Sequence, residues 1–331
     1  MTPPEITLAH VYAARQRIAP HVRRTPLVRS AWLSSIAHAD VRLKLESLQV
    51  TNSFKARGAV NAALRVLESV RGGGTAPVLV TASAGNHGRA LAYAAERVGL
   101  RTIVFTPRNA PRAKLDAIER HGADLRDVAD TYEETETLAK AYVAEHPHDS
   151  IFISPYSHPD LIAAIGTIAV EVFEEWPETD TFLVPVGGGG LVAGVGLAAK
   201  AVSPRIRIVG VESEASQAFT VSLREGRITE VPVSQTIADG LAGNMDPETI
   251  TFELARRYVD EMTQVSEAAL FDGLRGLVAN EHLVAEGAGV AAVSAVLSGR
   301  VALGGRRVTV IVSGANIDTS RLASVLAGAK G

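Results

Sequence analysis

Phe182-Leu183-Val184-Pro185-Val186 runs straight into Gly187-Gly188-Gly189-Gly190 and then Leu191-Val192-Ala193-Gly194. An apolar run of strand length, a turn made of glycines and the start of a helix follow one another without a gap. Glycines let backbone N–H groups converge on an anion, and the first turn of a helix adds the positive end of its dipole. The segment reads as a phosphate-binding turn; a tight strand-to-helix turn with nothing bound is the plain alternative.

The same alternation extends outward in both directions. Val78-Leu79-Val80-Thr81, Thr102-Ile103-Val104-Phe105, Ile206 to Val211 and Val308-Thr309-Val310-Ile311-Val312 are buried-strand runs. Helical patterns separate them, through Arg89 to Ala95, from Pro111 to His121, and up to Lys200. Short continuous apolar strands divided by helices mean parallel sheets covered on both faces, so the chain is α/β. Two series, around 75–153 and 180–313, predict two sheets. Gly72-Gly73-Gly74 and Ser154-Pro155-Tyr156-Ser157-His158-Pro159 punctuate them.

Bulk properties narrow the function. The 331 residues are too many for one small core and suit two packed lobes. A net charge of −3, without single-sign blocks, argues against a general nucleic-acid binder. The absence of cysteine removes disulfides, thiolate nucleophiles and cysteine-ligated metals, and fits an intracellular protein. Met1-Thr2-Pro3-Pro4-Glu5 lacks the basic-then-apolar pattern of a signal peptide, and the most apolar helix pattern, Leu191–Ala199, is too short to span a bilayer. A cytoplasmic protein with neither nucleic acid nor membrane as partner is expected.

Which phosphate is bound is open on local evidence. Gly188, Gly190 and Ala193 satisfy the dinucleotide pattern, and Glu212 ends the next strand where a ribose-binding acid would sit. A nicotinamide oxidoreductase therefore competes. Two other segments weigh against it. Thr51-Asn52-Ser53-Phe54-Lys55-Ala56-Arg57-Gly58-Ala59 puts Lys55 where a helix begins, and there the dipole would ease loss of its proton and make it a nucleophile toward an aldehyde. A solvated surface lysine is the bland reading. Thr81-Ala82-Ser83-Ala84-Gly85-Asn86-His87-Gly88 leaves a strand and enters a helix, offering bare N–H groups suited to a carboxylate. A helix-start lysine, a carboxylate nest and a phosphate nest together make a site for an amino acid and a phosphate-bearing cofactor.

On these residues the chain resembles the fold-type II pyridoxal-phosphate enzymes, in particular the serine/threonine dehydratase (threonine ammonia-lyase) and serine racemase branch. The motifs are Arg24-Thr25-Pro26-Leu27, Ser53-Phe54-Lys55-Ala56-Arg57-Gly58-Ala59, Ser83-Ala84-Gly85-Asn86-His87, Gly187–Leu191 and Ser313-Gly314-Ala315-Asn316, in the family's order along almost the whole chain. The resemblance implies a two-domain, tryptophan-synthase-β-like α/β fold. Residues 1–71 and 154–331 would form a large cofactor-binding domain and 72–153 a small substrate-binding domain inserted in it. It also implies a homodimer, and a chain that ends too soon after Ser313 to hold a regulatory domain.

The implied chemistry is removal of water and ammonia from a small 3-hydroxy amino acid, such as L-threonine or L-serine, with pyridoxal 5'-phosphate as cofactor. By the resemblance, Lys55 carries the cofactor and moves the Cα proton, and Phe54 packs beside its ring. Asn86 bonds the ring oxygen, and Ser83, Ala84, Gly85, Asn86 and His87 grip the substrate carboxylate. Gly187, Gly188, Gly189, Gly190 and Leu191 cradle the phosphate, and Ser313 meets the pyridine nitrogen. A hydroxyl there does not hold that nitrogen protonated, which favours prompt loss of a β-leaving group. Glu286 would approach the cofactor edge and Asp239-Gly240 would wall the pocket.

Departures from the family pattern carry their own expectations. Ala84 stands where racemases tend to place a proton-moving serine, so dehydration is favoured over racemisation. Glu212 resembles the first member of a cation site, but Ala218 replaces a carboxylate, leaving metal binding and a simple cap on the strand as alternatives. Ser154 and Ile165 replace His and Gln of many relatives, which opens atypical substrates of the hydroxyectoine or hydroxyaspartate kind. Asn52 replaces a common glycine at a position where Asn can adopt left-handed backbone. His87 is expected to shape its loop, with direct proton transfer the lesser role. A cofactor-binding protein without turnover is the remaining rival.

Overall fold

The structure, a computed structural model, describes residues 5–70 and 74–328. Gly72 and Gly73 of the expected glycine punctuation lie outside the described residues. Ten strands occur among those described: β1 (Leu27–Arg29), β2 (Asp40–Leu45), β3 (Val78–Ala82), β4 (Thr102–Pro107), β5 (Asp124–Ala129), β6 (Ser150–Phe152), β7 (Thr181–Pro185), β8 (Arg207–Ser213), β9 (Glu261–Val265) and β10 (Arg307–Val312). They form a four-stranded sheet ordered β5-β4-β3-β6 and a six-stranded sheet ordered β1-β2-β10-β7-β8-β9. Every pairing is parallel except β1 with β2, which are antiparallel.

Period-two alternation explains why the larger sheet is buried on both faces. Phe182, Val184, Ile208 and Ile311 enter one apolar cluster, whereas Leu183, Val209, Val310 and Val312 enter another. Each such side chain contributes about 1.5–3 kcal/mol when fully buried.

The two-sheet expectation holds, with one addition. The larger sheet recruits β1 and β2 from far upstream of the 180–313 series. In β2 the sequence Asp-Val-Arg-Leu-Lys-Leu alternates charged and apolar residues, the pattern of a half-solvated strand. Yet β2 lies between β1 and β10, and Lys44 is 0% exposed. Lys44 on its charged face is met by a buried carboxylate instead of water, as described below, and the Arg42 guanidinium lies over the Trp176 ring at 4.0 Å.

Helix Lys55–Ser69 begins where the sequence suggested. Its small residues allow close approach to helix Pro159–Ile165, since a Cβ on Gly58 would stand 2.8 Å from Leu161 Cγ. The turn before it is strained. Thr51 and Asn52 have φ of 62° and 55°, so the left-handed backbone foreseen at Asn52 extends to a β-branched neighbour. Among the described residues no helix is long and apolar enough to cross a membrane.

Candidate active site

The phosphate-turn glycines follow β7, the Ser83–His87 loop follows β3 and Ser313 follows β10, all at carboxyl ends of parallel strands, where α/β sheets bind ligands. A closed circuit of contacts joins these segments. Lys55 Nζ donates to Pro155 O at 2.6 Å. The next residue, Tyr156, covers the glycine turn: a Cβ on Gly188 would overlap its ring, and one on Gly190 would lie 3.0 Å from its carbonyl. Gly187 abuts Gly240, whose carbonyl would be 2.7 Å from an added Cβ. Gly240 in turn faces Ala288, whose carbonyl accepts from Ser313 Oγ at 3.5 Å. Ser313 O then accepts from Phe54 N at 3.1 Å, which returns the circuit to the lysine.

A second chain of hydrogen bonds enters from the other sheet. Asn86 Nδ2 donates to Glu286 Oε1 at 2.5 Å, and Asn86 Oδ1 accepts from Asn316 Nδ2 at 2.6 Å. Arg89, one turn along the same helix, donates to Asn316 Oδ1 at 2.6 Å. Two ion pairs also span the sheets, Lys114–Asp239 at 2.5 Å and Lys140–Asp246 at 2.8 Å.

Burial sets the protonation states. The partly buried Lys55 is pushed down to about 8 by desolvation, partly offset by Glu286. Desolvation lowers it here, where the sequence suggests the helix dipole. Glu286 is driven up to about 7 by its own burial, against the Asn86 hydrogen bond. Buried His87 falls to about 3, chiefly by desolvation, and its Nε2 lies 3.2 Å from Ile153 O. A neutral ring turned toward Ile153 suits the loop-shaping role and not proton transfer.

Packing bears on three sequence expectations. Glu212 Oε1 accepts from Phe219 N, and Oε2 from Thr220 N and Oγ1, so Glu212 caps helix Ala218–Glu225. Glu212 thus serves a helix, where the sequence offered a cation site or a cap on its own strand, and its oxygens turn to that helix and not toward a ribose. Ile165 is 1% exposed and packs against helix Gly190–Val202, where it closes on Gly194, so it lines the core and not the cleft. Ser154 Oγ accepts from Tyr156 N at 3.5 Å and Ser157 N at 3.0 Å, shaping the turn that presents Pro155 O to Lys55.

Residues 18–314 match the family described as "Pyridoxal-phosphate dependent enzyme". The chain belongs to this family. An L-threonine ammonia-lyase of Thermotoga maritima is 36% identical over 97% of the chain and 78% of its own length. The structure of maize serine racemase superposes with a TM-score of 0.89 at 30% identity, covering 97% of each chain. A threonine deaminase from T.th. gives a TM-score of 0.84 at 35% identity, covering 94% of this chain and 99% of that one. The chain is thus a pyridoxal-phosphate-dependent enzyme with the fold of these proteins.

The site fits that cofactor on its own geometry. Among the described residues, the N–H groups of Gly188, Gly189 and Gly190 donate to no protein acceptor, so the turn offers a set of donors to an anion. Gly189 has φ of 82°, and a Cβ there would overlap Phe219, so glycine is required. A partly buried amine with a lowered pKa suits capture of an aldehyde, because the neutral form is the nucleophile. A pH prediction follows. The rate at which cofactor-free protein captures the aldehyde rises about tenfold from pH 7 to pH 9 and levels off above pH 9, as Lys55 passes through about 8. Stopped-flow absorbance measures it; continued growth to pH 10.5 would assign an ordinary lysine.

Sequence reasoning missed the support beneath the lysine. Arg57, 1% exposed, places Nε and Nη2 on the two oxygens of Glu46, each at 2.8 Å. Its Nη1 and Nη2 reach Glu171 at 2.6 and 2.8 Å, and Lys44 Nζ reaches Glu171 at 2.6 Å. Thr25 joins through Oγ1 to Glu46 and through its carbonyl to Lys44, which accounts structurally for the Arg24-Thr25-Pro26-Leu27 motif. The available signal was Lys44 near the end of β2 with Glu46 just beyond it, two residues apart.

Proposed function

We propose that this enzyme removes water and then ammonia from a small 3-hydroxy amino acid, L-threonine or L-serine, releasing a 2-oxo acid. The observation that carries this reading is the circuit joining Lys55, Tyr156, the glycine turn and Ser313, with Asn86 entering from the second sheet. The names of the relatives, threonine ammonia-lyase and threonine deaminase, support the same reaction class.

Pyridoxal 5'-phosphate, when bound, supplies the electron sink that lets a Cα–H bond break and a β-substituent depart. In this reading Lys55 holds it covalently, the N–H groups from Gly187 to Leu191 hold its phosphate, Asn86 its ring oxygen and Ser313 its ring nitrogen, with Phe54 alongside. The Ser83–His87 loop binds the substrate carboxylate through N–H groups. Lys55, with a pKa near physiological pH, takes the proton from Cα. Its carbonyl partner, Pro155 O, aims the amine.

The same reading divides the chain into a large domain of 1–71 and 154–331 and a small one of 72–153. In support, β3 to β6 form a sheet of their own. Closure of the small domain would exclude water, with Lys114–Asp239 and Lys140–Asp246 bridging the mouth. A cytoplasmic homodimer completes the proposal, in line with the family.

The test is 2-oxo acid release from L-threonine and L-serine by cofactor-loaded protein. Turnover of one or both is expected. D-serine formation should be slower than elimination by at least about a hundredfold, because Ala84 has no acid/base group. A yellow protein that releases no 2-oxo acid from either would overturn this substrate assignment.

A further inference from the structure

We propose that Thr251 is a positioning residue that fixes the orientation of the glycine turn toward its anion; this rests on the cofactor reading above. Successive glycines carry no side chains, so nothing within the turn chooses which way each peptide plane faces. Either orientation of the Gly188–Gly189 peptide is accessible to glycine at little cost. One presents an N–H to the anion, and the other presents a carbonyl oxygen that repels it.

The structure assigns the choice to a hydroxyl outside the turn. Thr251, 0% exposed and first in helix Thr251–Tyr258, donates from Oγ1 to Gly188 O at 2.8 Å. In a trans planar peptide the C=O and the following N–H point in opposite directions. Drawing Gly188 O onto Thr251 therefore turns Gly189 N–H away from that helix, to the opposite side.

The hydroxyl is itself aimed. Thr249 Oγ1 lies 2.8 Å from Thr251 Oγ1 and accepts from Thr251 N at 3.3 Å. Since the proton of Thr251 is given to Gly188, the Thr249 hydroxyl must be the donor between the two. Retreat of the turn is blocked as well, because a Cβ on Gly189 would overlap Phe219 and stand 3.0 Å from Thr251 Cβ.

This segment is tied on to the rest of the site. Thr249 N donates to Asp246 O at 3.0 Å, and Asp246 N donates to the hydroxyl of Tyr156 at 3.2 Å. Ile250 N donates to Ser157 Oγ at 3.1 Å. Thr251 thus acts from a segment locked to Tyr156, whose ring covers the other side of Gly188.

The experiment compares Thr251→Val, which keeps the shape and removes the donor, with Thr251→Ser, which keeps the donor. Dissociation constants are measured by absorbance titration for pyridoxal 5'-phosphate and for pyridoxal, which lacks the phosphate. Thr251→Val is expected to weaken the phosphate ester about tenfold, the scale of one hydrogen bond, and pyridoxal less than about twofold. Thr251→Ser should bind both as wild type does. Equal weakening of both ligands by Thr251→Val would show a general structural role and overturn the proposal. So would unchanged binding of both, or an apo-protein melting loss that Thr251→Ser shares. Failure of the wild type to bind pyridoxal 5'-phosphate would instead overturn the cofactor reading.

Discussion

Lys55→Ala abolishes 2-oxo acid release, lowering kcat by at least about four orders of magnitude, while circular dichroism remains that of wild type. Two functions are lost together: covalent capture of the cofactor and transfer of the Cα proton, and proton transfer by a placed side chain alone is worth about 10²–10⁴-fold. The fold is spared because the amine has one carbonyl partner, Pro155 O, and removing it relieves the desolvation that pushes Lys55 down to about 8. The visible band that cofactor gives with wild type should be missing. A variant that keeps most of its activity would place cofactor capture and proton transfer on a residue other than Lys55.

Arg57→Met destabilises the protein by about 3–5 kcal/mol, read as a lowered urea midpoint, because it leaves buried charge uncompensated. Wild type holds Arg57 and Lys44 against Glu46 and Glu171, two charges of each sign, all nearly inaccessible. The substitution leaves two carboxylates facing one ammonium. Arg57→Lys keeps the charge yet loses the fork that engages both oxygens of Glu46, so it restores only part of the loss. The pH dependence has a definite sign. Burial raises the Glu171 carboxyl and its pairing with Arg57 and Lys44 more than offsets this, so its folded value lies below the ordinary one. That stabilisation is present above the ordinary carboxylate range and is lost as pH falls through the depressed value. In Arg57→Met, Glu171 loses the larger of its two partners and so less of this stabilisation is present to lose, and the difference from wild type shrinks on going from pH 7 to pH 4. A constant or growing difference would mean that the effect is packing and not charge.

These two residues also show how far the sequence could be read. Lys55 was legible because polar turn residues precede a helical pattern and because two glycine-bearing strand-to-helix turns accompany it. Buried parallel strands such as β7, β8 and β10 were legible because both faces demand apolar residues, leaving runs without interruption. Arg57 and Glu171 were not legible. Each looks like an ordinary charged residue on a helix, and only the fold turns them onto β2. Ile165 differs for a related reason: its standing where many relatives have Gln pointed to the substrate, while helix periodicity sends it into the core against Gly194. Glu212 could not be decided from spacing, since a strand-end carboxylate serves a cation, a ribose or a helix N-terminus equally well, and only the positions of Phe219 and Thr220 choose.

The pairing of β2 with β10 sets a timetable for biosynthesis. Six residues of β2 lie beside β10, in register from Asp40 with Arg307 to Leu45 with Val312. Ser53 bridges to Gly314, and Ala315 N donates to Asn52 O. The segment bearing Lys55 leaves the ribosome early, but the strand that seats it, beginning at Arg307, emerges about 250 residues later. At about 5–20 residues per second that interval is on the order of tens of seconds. A nascent chain shortened before β10 should therefore leave Lys55 solvated, with no grip on the aldehyde, so cofactor loading waits until β10 has emerged.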